Sequence, residues 1–264
     1  NLKGKGQKFN WTKKRLKEYL KCAEDPIYFA EEYIKIVHVD HGLIPIKMYE
    51  YQKEITNLIT DNRRVTVVTS RQAGKTTVAA AVILHYVLFN EHKLIALLAN
   101  KGDSAREILD RIKIAYEALP KWLQQGVVEW NKGSVEFENG SKIVAAATSS
   151  SAIRGKSVSF LYIDEAAFVE NWEEFSSAVL PTISSGKTTK TLYTSTPNGL
   201  NHFHKTCSGA KEGTNGFKFV EVPWQKVPGR DAEWKQETLA AMDFDTQKFA
   251  QEYSCQFLGS SNTL

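Results

Sequence analysis

The sequence predicts an α/β fold built on a mainly parallel sheet with helices on both faces. Three observations lead there. Short apolar strands without polar alternation recur through the middle of the chain, the pattern of strands covered on both sides. Helix-like segments separate them, as parallel connections require. The chain has 264 residues, 42% hydrophobic and 24% charged, which suits one large domain or one domain plus a small appendage. That composition excludes global disorder, a collagen-like repeat and a disulfide scaffold.

In chain order, the stretch Tyr19–Tyr33 reads as helical. Val65-Thr66-Val67-Val68-Thr69 is a β-branched strand, and the apolar run Val78–Phe89 after it reads as a buried helix because no face is polar. Leu94–Ala99 is a second buried strand. Ser104-Ala105-Arg106-Glu107 has the form of a capping box, and Ile108, Ile112, Ala115, Tyr116 and Leu119 follow at helical spacing up to Pro120. Val135–Glu138 and Lys142–Ala145 flank Asn139-Gly140, which predicts a hairpin with a type I′ turn. Phe160–Ile163 and Thr191–Thr194 are two more buried strands. From about Pro228 the pattern changes to two short helices, near Ala232–Met242 and Thr246–Tyr253. The expected division is therefore a core over 1–227 with a basic N-terminal extension, and a small helical subdomain over 228–264.

The three cysteines (Cys22, Cys207, Cys255) are scattered and in no metal-type spacing, which fits a reduced setting. His38 and His41 have no neighbours to complete a ligand set, and Asn10-Trp11-Thr12 is read as a chance sequon. Val78–Phe89 is the longest nearly apolar stretch and is interrupted by His85, short of the roughly 18 residues a membrane span needs. Opening at Asn1 rather than Met, the chain is expected to be a piece of a longer protein. Its net charge of +4 is uneven: residues 1–21 hold eight Lys/Arg and one acid, +7, and the remainder is −3. A basic end attracts phosphate backbones, although a solvated terminus has the same composition.

Strand Val65–Thr69 runs into Ser70-Arg71-Gln72-Ala73-Gly74-Lys75-Thr76-Thr77 and then a helix. Strand, loop and helix in that order make a phosphate-binding loop, in which backbone N–H groups and the helix N-terminus cradle polyphosphate. Gly74 permits close approach, Lys75 reaches the β- and γ-phosphates, and the Thr76 hydroxyl suits Mg²⁺. The usual first glycine is replaced by Thr69. About 90 residues later the strand Phe160–Ile163 ends in Asp164-Glu165. That places two carboxylates at the sheet edge where α/β folds bind ligands. Asp164 is assigned to Mg²⁺ and Glu165 to deprotonating the attacking water.

Arg71 lies inside the loop, where it can serve as an arginine finger from the same chain or as a structural arginine paired with a carboxylate. Arg154 in Ile153-Arg154-Gly155-Lys156 is the rival, acting on a neighbouring subunit or on DNA. Thr194-Ser195-Thr196-Pro197 ends the next strand and suits sensing of the γ-phosphate and Mg²⁺. Tyr51-Gln52, about 20 residues before the loop, supplies an aromatic face and an amide for adenine, or alternatively a core aromatic.

Taken together, Ser70–Thr77, Leu161–Glu165, Thr194–Pro197 with Asn198-Gly199-Leu200-Asn201-His202-Phe203, Tyr51-Gln52, Trp130–Ser134 and Ile153-Arg154-Gly155 resemble the ATPase domain of the tailed-bacteriophage terminase large subunit, closest to the myovirus type. The Thr69 departure is shared by those terminases. The resemblance implies an additional-strand P-loop core, with one strand between the loop strand and the acidic strand, and a small second subdomain. It implies an ATP- and Mg²⁺-dependent motor that moves double-stranded DNA into a procapsid in the host cytoplasm. Its partners would be the portal protein, the small terminase subunit and further copies in a ring, with the fragment alone monomeric and no membrane involved. In it Thr194–Thr196 would couple nucleotide state to the helical subdomain. The family's C-terminal metal nuclease needs further sequence, so no nuclease is expected here. A superfamily 2 helicase suits the same motifs but needs a second motor domain, which the roughly 100 residues after Glu165 cannot supply. A nucleotide-dependent assembly protein without turnover has no use for a base at Glu165.

Overall fold

The computed structural model describes every residue except 39, 150, 152, 185 and 260–264. The chain opens with helices α1 (Lys13–Glu24) and α2 (Pro26–Tyr33), a hairpin of β1 (Lys35–His38) and β2 (Gly42–Pro45), and α3 (Glu50–Asp61). Then come β3 (Arg64–Thr69), α4 (Lys75–Phe89), β4 (Leu94–Ala99), α5 (Gly102–Ala118), β5 (Val127–Trp130), β6 (Ser134–Phe137) and β7 (Lys142–Ala147). The last part holds β8 (Phe160–Asp164), α6 (Trp172–Ser184), β9 (Lys190–Ser195), α7 (His202–Lys211), β10 (Lys218–Val222), α8 (Ala232–Ala241) and α9 (Thr246–Tyr253).

Eight strands form one sheet in the order β10-β3-β9-β8-β4-β7-β6-β5. The six from β10 to β7 are parallel, and β6 and β5 complete the edge antiparallel. Thus β9 is the strand between the loop strand β3 and the acidic strand β8, as the resemblance implied. Because successive side chains point to opposite faces, each central strand feeds two cores. Val65, Val67, Ile95, Leu97, Phe160 and Tyr162 join the core under α1 to α5. Val68, Ala96, Leu98, Leu161, Ile163 and Tyr193 join the other, under α6 and α7. This two-sided burial is why the strands read as unbroken apolar runs. α4 lacks a polar face because it packs against α2, α3 and α5 as well as the sheet. Each fully buried Val, Leu or Ile there contributes roughly 1.5–3 kcal/mol.

Four details differ from the sequence expectations. α5 starts at Gly102, so Ser104 lies inside its first turn instead of capping it; the bond from Ala105 N–H to the Lys101 carbonyl carries the helix upstream. The turn at Asn139-Gly140 is not type I′: only Gly140 has a positive φ (77°), and Glu138-Asn139-Gly140 form a three-residue loop. Asn139 instead directs its amide to the carbonyls of Val87 and Asn90, tying the hairpin to α4. The helical stretch around Tyr19–Tyr33 is two helices, because Asp25 caps α2 and Pro26 cannot donate to continue α1. Finally, the parallel edge strand β10 lies beside β3 where no strand was expected.

Candidate active site

The site forms where β3, β9 and β8 end side by side. Register alignment sets Thr194 opposite Asp164 on one flank and opposite Val67 on the other. The C-terminal residues of β9 therefore lie between the loop and the acid pair.

The loop Ser70–Gly74 is held from several directions. Ser70 N–H donates to the Val222 carbonyl of β10 (2.7 Å), and Arg71 N–H to the Glu252 carbonyl of α9 (2.8 Å). The Tyr51 hydroxyl donates to the Ala73 carbonyl (2.9 Å). Gly74 caps α4 at φ 76°, a conformation that favours glycine, and a Cβ there would push against Gln52 Nε2 at 2.5 Å. Gln72 also has a positive φ (55°), an uncommon state for a residue with a side chain. Among the described residues, neither the Gln72 nor the Gly74 N–H has a backbone partner outside helices and strands, which leaves donors for an anion.

Lys75 opens α4 and reaches the acid pair. Its ammonium donates to Glu165 Oε1 at 2.6 Å and lies 3.6 Å from Asp164 Oδ1. Burial pulls the Lys75 pKa down, but the two carboxylates outweigh it and hold the group above the ordinary lysine value, so it stays charged. Thr194 donates to Asp164 Oδ1 (2.8 Å) and exchanges a bond with the Tyr162 hydroxyl (3.1 Å). Ser195 donates to Glu165 Oε2 (3.4 Å) and accepts from Ala167 N–H (3.1 Å). Glu165 itself has φ 51° and starts a tight turn, Ala166–Phe168. Asn198 and Asn201 donate to the Ala167 carbonyl and His202 Nε2–H to that of Ala166, so the turn after the acids is fastened to the start of α7.

Thus Lys75, Asp164, Glu165, Thr194 and Ser195 form one connected network. Thr76 follows Lys75 in the first turn of α4, and among the described residues the Thr196 hydroxyl is buried without a partner, as is that of Thr69 at the end of β3. Two orphaned buried hydroxyls at the ends of β3 and β9, the strands that border the acid pair and the charged lysine, make a donor set that fits a magnesium-bound polyphosphate. Thr77 instead lines a separate cleft between β1, α4 and α5. Arg154 lies outside the network, exposed, with its guanidinium 3.7 Å from Glu174 of α6.

Two sites expected to touch nucleotide are engaged with protein. Tyr51 and Gln52 are buried, at 6% exposure each. Gln52 completes the α3 cap, accepting from Tyr49 N–H (2.9 Å), while its Nε2 lies 3.5 Å from the Ala73 carbonyl. Both side chains brace the phosphate loop, so Tyr51 serves as the core aromatic that was its alternative reading while keeping a face on the neighbouring cleft. An open cleft of about 600 Å³ lies beside them, lined by Tyr49, Tyr51, Lys226 and Pro228 among others. Arg71 forks onto Glu252 (Nε to Oε2 2.7 Å, Nη2 to Oε1 3.1 Å). Sequence reasoning missed Glu252 and Arg230, which touch the loop from about 160 to 180 residues away in sequence. No local pattern announces so distant a contact.

Partly buried histidines make the fold acid-sensitive. His202 stacks on Trp172 (4.3 Å between centroids), and His85 Nε2–H donates to the Cys22 carbonyl. Burial lowers the pKa of both. The unfolded chain then binds more protons, so this stability is complete above about pH 6.5 and is lost as pH falls through the folded values. Urea midpoints should drop between about pH 7.5 and about 5.5, and His85→Gln should flatten that slope. A midpoint that does not fall over this range excludes the effect.

A model of the family described as terminase large subunit, T4likevirus-type, N-terminal, matches residues 66–264. Among solved structures, the large terminase ATPase domain of Thermus phage P74-26 is 22% identical with TM-score 0.65, covering 80% of this chain and 94% of that one. The large terminase of bacteriophage HK97 is 16% identical with TM-score 0.73, covering 89% of this chain and 55% of that one. The large terminase of a further, thermophilic bacteriophage, in complex with ATP-gamma-S, is 11% identical with TM-score 0.64, covering 80% of this chain and 53% of that one. The structural likenesses establish a shared fold, and this chain spans about half of the latter two proteins.

Proposed function

This chain belongs to the T4-like terminase large subunit family and carries the N-terminal part of it, and from that premise we propose that it hydrolyses ATP in the cleft between Ser70–Thr76 and the acid pair to drive double-stranded DNA into a procapsid. The observation that carries the reading is the Lys75 ammonium held against both Asp164 and Glu165 at the sheet edge, beneath a loop with unused N–H donors. A polyphosphate offers Lys75 a stronger partner and frees Glu165. Glu165 then takes a proton from water as the water oxygen bonds the γ-phosphorus. The bond from that phosphorus to the β–γ bridging oxygen breaks, and ADP and phosphate result. Arg71 is assigned to the charge on the transferring group, once it leaves Glu252. Thr76 and Asp164 would hold Mg²⁺, which when bound neutralises charge on the phosphoryl oxygens. Thr194 fixes the Asp164 carboxylate, and Ser195 links Glu165 to the turn that leads to α7. The adenine ring is assigned to the cleft beside Tyr49 and Tyr51.

The proposed division is a core over 1–227 and a lid over 228–264, with the portal, the small subunit and a ring of copies as partners in the host cytoplasm. The test is Mg²⁺-dependent ATP hydrolysis by this chain, with and without double-stranded DNA, at rising salt. Turnover is expected to vanish in Lys75→Ala. DNA affinity should fall steeply with salt, log K losing about 0.9 per phosphate contact for each decade. No nucleotide binding by the wild-type chain overturns the ATPase reading, and salt-insensitive DNA affinity overturns contact with the DNA backbone.

A further inference from the structure

We propose that Arg230 is a positioning residue of the phosphate loop: from behind, its guanidinium holds the loop carbonyls so that the opposite N–H groups face the phosphates. The inference rests on the nucleotide reading above and adds a residue to it. Arg230 Nη2 donates to the carbonyls of Arg71 (2.8 Å) and Gln72 (3.3 Å), and Nη1 donates to Ser70 Oγ. One planar group thus spans three consecutive loop residues, which the fixed fork of an arginine can do and a lysine ammonium cannot.

The guanidinium is itself held in place. It lies 4.7 Å from the centroid of Trp234 and 5.9 Å from that of Tyr253. Those rings belong to an aromatic cluster with Trp224 and Phe249. Its backbone leaves a turn at Pro228-Gly229, where Gly229 has φ 81° and Arg230 N–H donates to the Val227 carbonyl.

The chemistry follows from peptide geometry. In a loop that binds anions through N–H groups, the carbonyls of the same peptides point away from the ligand. The Arg71 carbonyl shares its peptide unit with the Gln72 N–H, one of the two loop N–H groups without a backbone partner outside helices and strands among the described residues, whereas the Gln72 carbonyl shares its unit with the Ala73 N–H, which donates to the Ser70 carbonyl (3.3 Å) within the loop. A positive charge on those oxygens polarises both units: it strengthens the Gln72 N–H as a donor on the ligand side and the internal Ala73–Ser70 bond that shapes the loop. The bonds also oppose relaxation of Gln72 from its left-handed φ of 55°, a conformation that a residue with a side chain keeps only where its surroundings hold it. Without Arg230 the loop would bind phosphate with fewer aligned donors.

The test compares the wild-type chain with Arg230→Met, Arg230→Lys and Lys75→Ala. Calorimetry measures ATP and inorganic tripolyphosphate binding, with thermal unfolding alongside. Methionine fills the space over Trp234 and Tyr253 and removes the donors. Arg230→Met is expected to melt within a few degrees of wild type and to bind both ligands about tenfold more weakly, with Arg230→Lys intermediate. Millimolar guanidinium ion should restore part of the Arg230→Met loss and leave Lys75→Ala unchanged, a rescue that a purely structural role would not produce. Tripolyphosphate affinity of Arg230→Met within twofold of wild type overturns the role of Arg230 alone. If the wild-type chain binds neither ligand, the nucleotide reading fails and this inference falls with it.

Discussion

Glu165→Gln is expected to leave ATP bound and stop its hydrolysis. Glutamine has the same size and accepts hydrogen bonds, but its amide cannot take the proton that the attacking water must lose. A positioned base contributes about 10²–10⁴ in rate, or roughly 3–5 kcal/mol of barrier. The backbone should tolerate the change, since the left-handed φ of 51° at this position already carries a side chain of that length. Lys75 loses one carboxylate and keeps Asp164 at 3.6 Å, so ATP affinity should hold or rise as competition for the ammonium weakens. Nucleotide binding and single-turnover hydrolysis, measured on the same preparation, separate the two effects. Single-turnover hydrolysis within tenfold of wild type would remove Glu165 as the base.

Arg71→Ala is expected to lower turnover by about 10³–10⁵, roughly 4–7 kcal/mol of barrier, if its guanidinium stabilises the transferring phosphoryl group. The loss should be complete in dilute, monomeric protein, because the residue lies in the same chain as the loop. The structure adds a confounding effect that the control must remove. Arg71 also pairs with the largely buried Glu252, so its loss leaves a carboxylate with its main partner gone. Since the guanidinium is half exposed, that pair is worth only about 1 kcal/mol of stability. Glu252→Gln keeps Arg71 and weakens the pair, and it should retain turnover. Monomer turnover unchanged in Arg71→Ala, with loss only in the assembled ring, would transfer the role to Arg154 or another residue supplied by a neighbour.

Central strands and motif residues were legible because their signals are local. Val65–Thr69, Leu94–Ala99 and Phe160–Ile163 announce two-sided burial by composition alone. The loop and the acid pair each follow a strand that shows its end. Edge elements were less visible: β10 is five residues interrupted by Lys218 and Glu221, and β1, β2 and β5 are four residues each. The type I′ expectation failed for a physical reason. Asn139 holds its amide against two carbonyls of the α4 region, and that anchor outweighs the intrinsic preference of Asn-Gly. At the site, residue identity showed which groups do chemistry but not which groups hold them. Tyr51 and Gln52 look like base-recognition residues, and their bonds to the loop were not visible in the sequence, while Arg230 and Glu252 lie in a segment whose sequence reads only as short helices. Strand order and long-range side-chain pairing come from packing, and periodicity carries neither.

Ser70 hangs from Val222 and Arg71 from Glu252, partners that a ribosome makes some 150 to 180 residues after the loop itself. A nascent chain that has released only β3, α4 and β8 therefore holds Lys75 and both acids without the scaffolding that shapes the loop. Pairings between such remote segments form late, because chain closure must precede them. On the reading proposed above, the loop takes its gripping shape only once α9 is in place, so a growing chain would spend no fuel until its synthesis has passed Glu252.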